Sequence, residues 1–176
     1  DLWRSKAHTL TEPEEKLLAG MGEIASAPGD IADMLQDADM VFDPVETEDG
    51  QTLEVTGSNY ILLQSSPNRE IRRKAFKNYY KGFKQHINTF TATYSASVKA
   101  DVFEASTRHY ESARAMSMAG ENIPGTVYDS LVETVHRYLP AMYRYVELRK
   151  KILGIDELHY TTVSYTHLRA HETRRH

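Results

Sequence analysis

A chain of 176 residues with 40% hydrophobic and 26% charged side chains holds enough apolar material for one domain with its own core. Its mean hydropathy of -0.55 is too polar for a membrane protein and too apolar for a disordered one. The lack of cysteine removes disulfides, thiolate zinc ligands and cysteine nucleophiles together, so a metal would need histidine and carboxylate ligands, and the net charge of -4 argues against a general nucleic-acid binder.

No stretch approaches the ~18 consecutive apolar residues of a membrane-spanning helix. The first residues, DLWRSKAH, carry no signal-peptide pattern, and a cytoplasmic location is expected. A chain that begins at Asp1 without an initiator Met is expected to be processed or, in preference, a piece of something longer.

The first predicted element lies in TLTEPEEKLLAGMGEIA, where Thr11 caps a helix, Pro13 sits in its first turn and Glu14 completes a capping box. Leu17, Leu18, Met21 and Ile24 form its apolar face. Pro28 and Gly29 are expected to end it, with Asp30 capping a shorter helix that carries Ile31, Met34 and Leu35. Between Val41 and Val55 the pattern changes to a hairpin turning at Asp49-Gly50. Thr56 or Ser58 then caps a short helix through Tyr60, Leu62 and Leu63 that stops near Pro67.

From Arg69 no proline occurs before Pro124, and two series seven residues apart run through this stretch: Phe76, Phe83 and Phe90, then Tyr80, Ile87 and Tyr94. This heptad-like stripe, prolonged by Val98, Val102 and Phe103 toward Tyr110, predicts one long helix packed lengthwise on others. Gly82 would be tolerated inside it at ~1 kcal/mol relative to alanine. A short helix over Ala113 to Ala119 leads to a last long one, with Val127, Leu131, Val135, Met142, Val146 and Leu153 at helical spacing. Pro140 should kink or divide that helix, and Gly154 should cap it. The expected fold is mainly α: a helical bundle with long heptad-like helices and one small β-hairpin.

Three features invite a chemical reading. The terminal HETRRH places His171 and His176 five apart around Glu172, with His167 upstream. A zincin helix needs H-E-x-x-H, because residues four apart lie about 40° apart around the axis, whereas five apart leaves about 140°. His167 and His171 have the spacing of four, but Glu172 then follows the wrong histidine. An H-E-x-x-x-H arrangement exists among zinc peptidases, yet THLRAHETRRH offers only Leu168 and Ala170 as apolar residues. A solvated polar tail, at most binding metal adventitiously, is the preferred reading.

The basic and aromatic residues of REIRRKAFKNYYKGFKQH alternate as on some nucleic-acid surfaces, but the aromatics fall on the apolar stripe and the charges off it. A core face beside a solvated face explains both. The tyrosines, among them Tyr60, Tyr79, Tyr80, Tyr138, Tyr143 and Tyr145, suit a peptide-binding cleft, although their periodicity favours packing between helices. His8, His86, His109, His136 and His159 share no spacing. No phosphate loop, no G-x-S-x-G elbow and no spaced carboxylate pair is present. No catalytic, cofactor-binding or metal-ligating residue is assigned.

Several stretches resemble oligoendopeptidase F, a thimet-oligopeptidase-like zinc metallopeptidase: KAHTLTEPEEKLLA, NREIRRKAFKNYY, YESARAM and, most extensively, NIPGTVYDSLVETVHRYLPAMYRYVELRKKILGIDELH. They occur in family order up to His159. The resemblance implies a large, mainly helical shell around a deep channel, with zinc held by an H-E-x-x-H helix and a downstream glutamate. Residues 1–160 resemble the helical N-terminal region that precedes that catalytic portion, and none matches its zinc ligands or general base. After GIDELH the resemblance breaks off, so residues 161–176 are expected to be a non-native or disordered tail.

The expectation is therefore a fragment of a cytoplasmic zinc oligopeptidase of short peptides, forming a wall of the substrate channel and inactive alone. Its partners would be short peptides and the missing catalytic domain, with no membrane and no nucleic acid; a chain cut away from that domain should expose apolar surface and tend to associate. The alternative is a noncatalytic helical module binding a partner helix or nucleic acid through the Arg69 to Lys84 face. A third reading makes it a miniature zinc enzyme using the terminal histidines.

Overall fold

A computed structural model describes residues 5–163. These are mainly helical, with one two-stranded antiparallel sheet. The chain divides into two compact units, Asp1–Ala38 with Asn88–Arg137, and Asp39–Ile87 with Tyr138–His176.

Helix α1, Glu12–Met34, opens the first unit. The Thr11 amide donates to the Glu14 carboxylate at 2.9 Å and the Thr11 hydroxyl to the same oxygen at 2.6 Å, which fixes the entry of the chain. The expected stop at Pro28 does not occur. Proline removes only its own N–H, whose partner would be the Ile24 carbonyl, and Ala25, Ala27, Ala32 and Met34 around it favour the helix enough to carry it to Met34. A π-helical turn, Leu35–Asp39, follows.

The second unit contains the apolar core. Strands β1, Val45–Glu46, and β2, Thr52–Leu53, pair with Val45 opposite Leu53. Gly50 N–H bonds the Thr47 carbonyl at 3.1 Å, and Gly50 alone in the turn has positive φ, +79°. Asp49 stays on the ordinary side, so the turn is of the type I kind with glycine at the bulge rather than the tighter two-residue form. Helix α2, Tyr60–Gln64, starts from a reciprocal clasp: Thr56 N–H donates to Asn59 Oδ1 at 2.8 Å and Asn59 N–H to Thr56 Oγ1 at 3.2 Å. Helix α3, Arg69–Gln85, is capped by the Asn68 side chain, which accepts from Glu70 N–H at 2.8 Å.

Buried Val45, Val55 and Ala75 form the centre, with Phe42, Leu53, Leu63, Ile71 and Tyr79 around them. An aromatic layer extends it: Tyr60 stacks on Tyr79 at 4.1 Å, Phe42 on Tyr79 at 4.8 Å, and Phe76 meets Tyr80 at 4.6 Å and Tyr160 at 5.6 Å. Burial pushes the Tyr60 hydroxyl pKa above the ordinary tyrosine range. Gly82 is required here rather than tolerated. A Cβ on it would lie 2.7 Å from Phe42 Cδ1, so the ring sits where any other residue would have its side chain.

The single helix expected from Arg69 to Tyr110 is two, α3 and α4, Ile87–Thr107. His86 leaves helical geometry at φ -108° and ψ 14°, with its N–H bonded to the Phe83 carbonyl at 3.1 Å. The seven-residue stripe crosses this break, but its two halves serve different units: Phe76, Tyr80 and Phe83 join the aromatic layer, while Tyr94, Val98 and Val102 are exposed. Tertiary packing has overridden the local pattern.

Helix α5, Ala113–Ala119, begins where Ser112 Oγ accepts from Ala115 N–H at 3.1 Å. Helix α6, Gly125–Leu153, runs through Pro140 as one element, and the passage from the first unit to the second falls inside it, just before that proline. Gly154 at φ +63° closes it, with Ile155 N–H reaching back to the Lys150 carbonyl at 3.2 Å. The same ending terminates α4 at His109, φ +61°, and α5 at Asn122, φ +54°. Helix α7, Tyr160–Val163, ends the described residues.

Candidate functional site

Within the first unit, α1 and α4 border a groove of about 560 Å³. Leu18, Met21 and Ile24 of α1 and Phe103 of α4 supply apolar walls, and Ala19, Gly22, Ala25, Ala96 and Ala100 keep parts of it shallow-sided and open. One end is polar. Arg108 spans Glu15 in a two-pronged contact, Nη1 to Oε1 at 2.9 Å and Nη2 to Oε2 at 3.1 Å, and its Nε donates to Glu104 at 3.0 Å. The hydrogen bond from Arg108, then that from Leu10 N–H, holds the Glu15 carboxyl below its ordinary pKa, and Glu15 and Glu104 raise that of Arg108. Two carboxylates and a guanidinium so paired form a latch between α1 and the end of α4; they supply neither a free base nor a nucleophile.

His8 lies beside the latch. Its Nδ1 donates to the Arg108 carbonyl at 2.8 Å, because a carbonyl only accepts, and its ring stacks on Tyr110 at 3.6 Å. The other described histidines are elsewhere: His86 at the α3 to α4 break, His109 in the ending of α4, His136 exposed on α6, and His159 beside Glu157 at 3.6 Å. His167, His171, Glu172 and His176 lie outside the described residues. Among the described residues no group of three or more His, Asp or Glu could hold a metal ion, so they do not fit a catalytic zinc.

The basic residues of α3 are largely engaged inside the second unit. Arg73 pairs with Glu70 at 2.6 Å, Lys81 with Asp43, and Lys74 Nζ donates to the Glu46 carbonyl at 2.7 Å, so three cations fasten the helix surface and the hairpin. Arg72 departs from the expected division into aromatic core and charged surface, since it is buried. Its Nε donates to the Thr161 carbonyl at 2.9 Å and its Nη1 to the Ser66 carbonyl at 2.7 Å, while its own carbonyl takes Gln64 Nε2 at 2.8 Å. The signal was present in the spacing, for Arg72, Phe76, Tyr79 and Phe83 fall at helical intervals on one face. Of the tyrosines, Tyr60 and Tyr79 pack in the core, whereas Tyr138 and Tyr143 stand 65% and 61% exposed.

The family model for peptidase family M3 matches residues 62–174, and that for oligopeptidase F matches residues 1–42. The chain belongs to peptidase family M3. An M3 relative, oligopeptidase PepF of Bacillus subtilis, is 39% identical over 159 residues, which is 90% of this chain and 24% of that protein. Group B oligopeptidase PepB of Streptococcus agalactiae is 39% identical over 157 residues, 89% of this chain and 26% of that one. The crystal structure of oligoendopeptidase-F from Enterococcus faecium superposes with a TM-score of 0.89 at 39% identity, covering 92% of this chain and 31% of that chain. The chain thus spans about a quarter of the length of these curated M3 relatives. Among its described residues no helix is long and apolar enough to cross a membrane.

Proposed function

We propose that this chain is a helical portion of a zinc-dependent oligopeptidase that hydrolyses short peptides in the cytoplasm, and that it contributes a wall of the substrate channel while the metal site belongs to the rest of the polypeptide. The observation that carries the reading is similarity over nine-tenths of the chain to peptidases of which it makes up a quarter. The described residues are consistent with a wall: they present apolar and tyrosine-bearing helix faces and a latch of paired charges, with no grouping that could take up the metal. In the intact protein zinc would supply an activated water, and this chain's part would be to shape access and contact peptide.

The purified chain, given zinc, is expected to leave short fluorogenic peptides intact. The protein encoded by its complete gene should hydrolyse them in a chelator-sensitive manner. Hydrolysis by the 176-residue chain alone, abolished when its last ten residues are removed, would refute the proposal and favour the terminal histidines instead.

A further inference from the structure

The hairpin carries a chemistry that peptide hydrolysis does not call on. Asp49 is the one aspartate in the sequence followed by glycine, and Glu48, Asp49 and Gly50 are all exposed at the tip of the turn. The carboxyl carbon of an aspartate and the main-chain nitrogen after it can close a five-membered ring, and glycine, with no Cβ, leaves that nitrogen unhindered. Aspartates within helices lack this freedom: Asp30 and Asp33 of α1, Asp101 of α4 and Asp129 of α6 are followed by amides tied into the helix ladder. Asp43 precedes Pro44, which has no N–H to give up.

Thr47 holds both reacting groups. Its carbonyl accepts Gly50 N–H at 3.1 Å, and its hydroxyl donates to Asp49 Oδ1 at 2.5 Å while accepting Gln51 N–H at 2.9 Å. In a type I turn the second central residue, here Asp49, has ψ of about 0°. Ring closure requires that torsion to rotate until Cβ and the glycine nitrogen eclipse, which breaks the bonds to Thr47. Such an opening costs little in a surface hairpin of two residue pairs.

We propose that Asp49-Gly50 is a site of spontaneous covalent modification, isomerising through a cyclic imide to a β-linked isoaspartyl residue, and that Thr47 sets the rate by holding the turn closed. The Gly50 nitrogen attacks Cγ of the protonated Asp49 carboxyl, the N–Cγ bond forms, and the carboxyl hydroxyl leaves with the amide proton as water. Water then adds to the imide. Opening at Cγ restores aspartate, whereas opening at the main-chain carbonyl breaks its bond to nitrogen and leaves the chain running through Cβ and Cγ, with a free carboxylate beside it. No oxidant or cofactor enters, and the mass is unchanged. The extra main-chain carbon falls between the Thr47 carbonyl and the Gly50 N–H, so the modified turn no longer matches the pairing of Val45 with Leu53.

The test ages the purified chain at neutral pH and physiological temperature. Isoaspartate is measured by methyl transfer from S-adenosylmethionine with an isoaspartyl methyltransferase and located by mass-spectrometric fragmentation. It is expected at position 49, accumulating more slowly in the folded chain than in guanidinium chloride. Thr47→Val should speed it severalfold in the folded chain and leave the denatured rate unchanged. Thr47→Ser, which keeps the hydroxyl, should keep the parent rate, and so should Thr52→Val, which removes a hydroxyl bonded to Glu46 in the same hairpin. Absence of isoaspartate at 49 in the aged folded chain overturns the proposal, as does equal accumulation in the folded and denatured chains. An effect of Thr52→Val as large as that of Thr47→Val overturns it too, since general loosening of the hairpin would then explain both. If Thr47→Val unfolds the hairpin, Thr47→Ser decides: a parent-like rate supports the role of the hydroxyl, and a rate near that in guanidinium chloride refutes it.

Discussion

The two units are made from the same kind of sequence, amphipathic helices with apolar residues three, four and seven apart, yet only one of them closes a core. Val45, Val55, Tyr60 and Ala75 are buried in the second, whereas Ala105 is the buried apolar side chain that the first contributes among the described residues. The hairpin makes the difference. It brings Phe42, Val45 and Leu53 across the face of α3, and Lys74, Asn78 and Lys81 hold its backbone and Asp43 in place. Among the described residues the first unit has no such hairpin, and Leu17, Val127 and Leu131 stand exposed. Periodicity marks which face of a helix is meant to be covered and is silent on what covers it.

This contrast predicts effects of very different size. The largest is expected for Arg72→Ala, which strips donors from the carbonyls of half-buried Ser66 and buried Thr161 and should cost about 3 kcal/mol or more, read from urea unfolding followed by far-UV circular dichroism. Gly82→Ala comes next. Alanine is the better helix former, but its methyl would displace the Phe42 ring, and overpacking of about 1–3 kcal/mol should outweigh the gain, seen as faster amide exchange along α3.

A matched pair of truncations sharpens the comparison further. Val45→Ala, at 1% exposure, should cost about 2 kcal/mol by loss of buried methyls, while Leu131→Ala, at 61%, should stay within about 0.5 kcal/mol in this chain. Equal costs in denaturant would show that the first unit is as closed as the second. The smallest effect concerns the latch. Glu15 has its pKa lowered from the ordinary 4.5, so its contribution to stability is present above that value and is lost as pH falls through the lower folded value. The melting temperature of the parent chain should exceed that of Glu15→Gln above pH 4.5, and the two should converge under more acid conditions.

Most of the architecture was legible because helices announce themselves through capping residues and apolar spacing. Thr11 with Glu14, the helix from Ala113 to Ala119, the hairpin around Gly50 and the ending at Gly154 all stand where the residues suggest. The misreadings share a cause. Pro28 does not stop its helix and the seven-residue stripe does not carry one helix across His86, because packing overrides local pattern at both places. The endings at His109 and Asn122 carry no glycine to mark them, although both residue types enter the left-handed region more readily than most.

The candidate site was less legible than the fold. The groove is a relation between α1 and α4, residues far apart in sequence, and the Glu15 to Arg108 latch has no spacing that could reveal it. Arg72 could have been found by treating its place on the helix face as evidence against its charge.

The contact between Gly82 and Phe42 ties two distant positions into one evolutionary unit. Neither can drift alone: a side chain at 82 becomes admissible only once 42 has shrunk, and a smaller 42 leaves a void that 82 is then free to occupy. Across descendants of this lineage the two columns should change together, making the pair a marker of whether a newly found sequence keeps the hairpin seated on its helix.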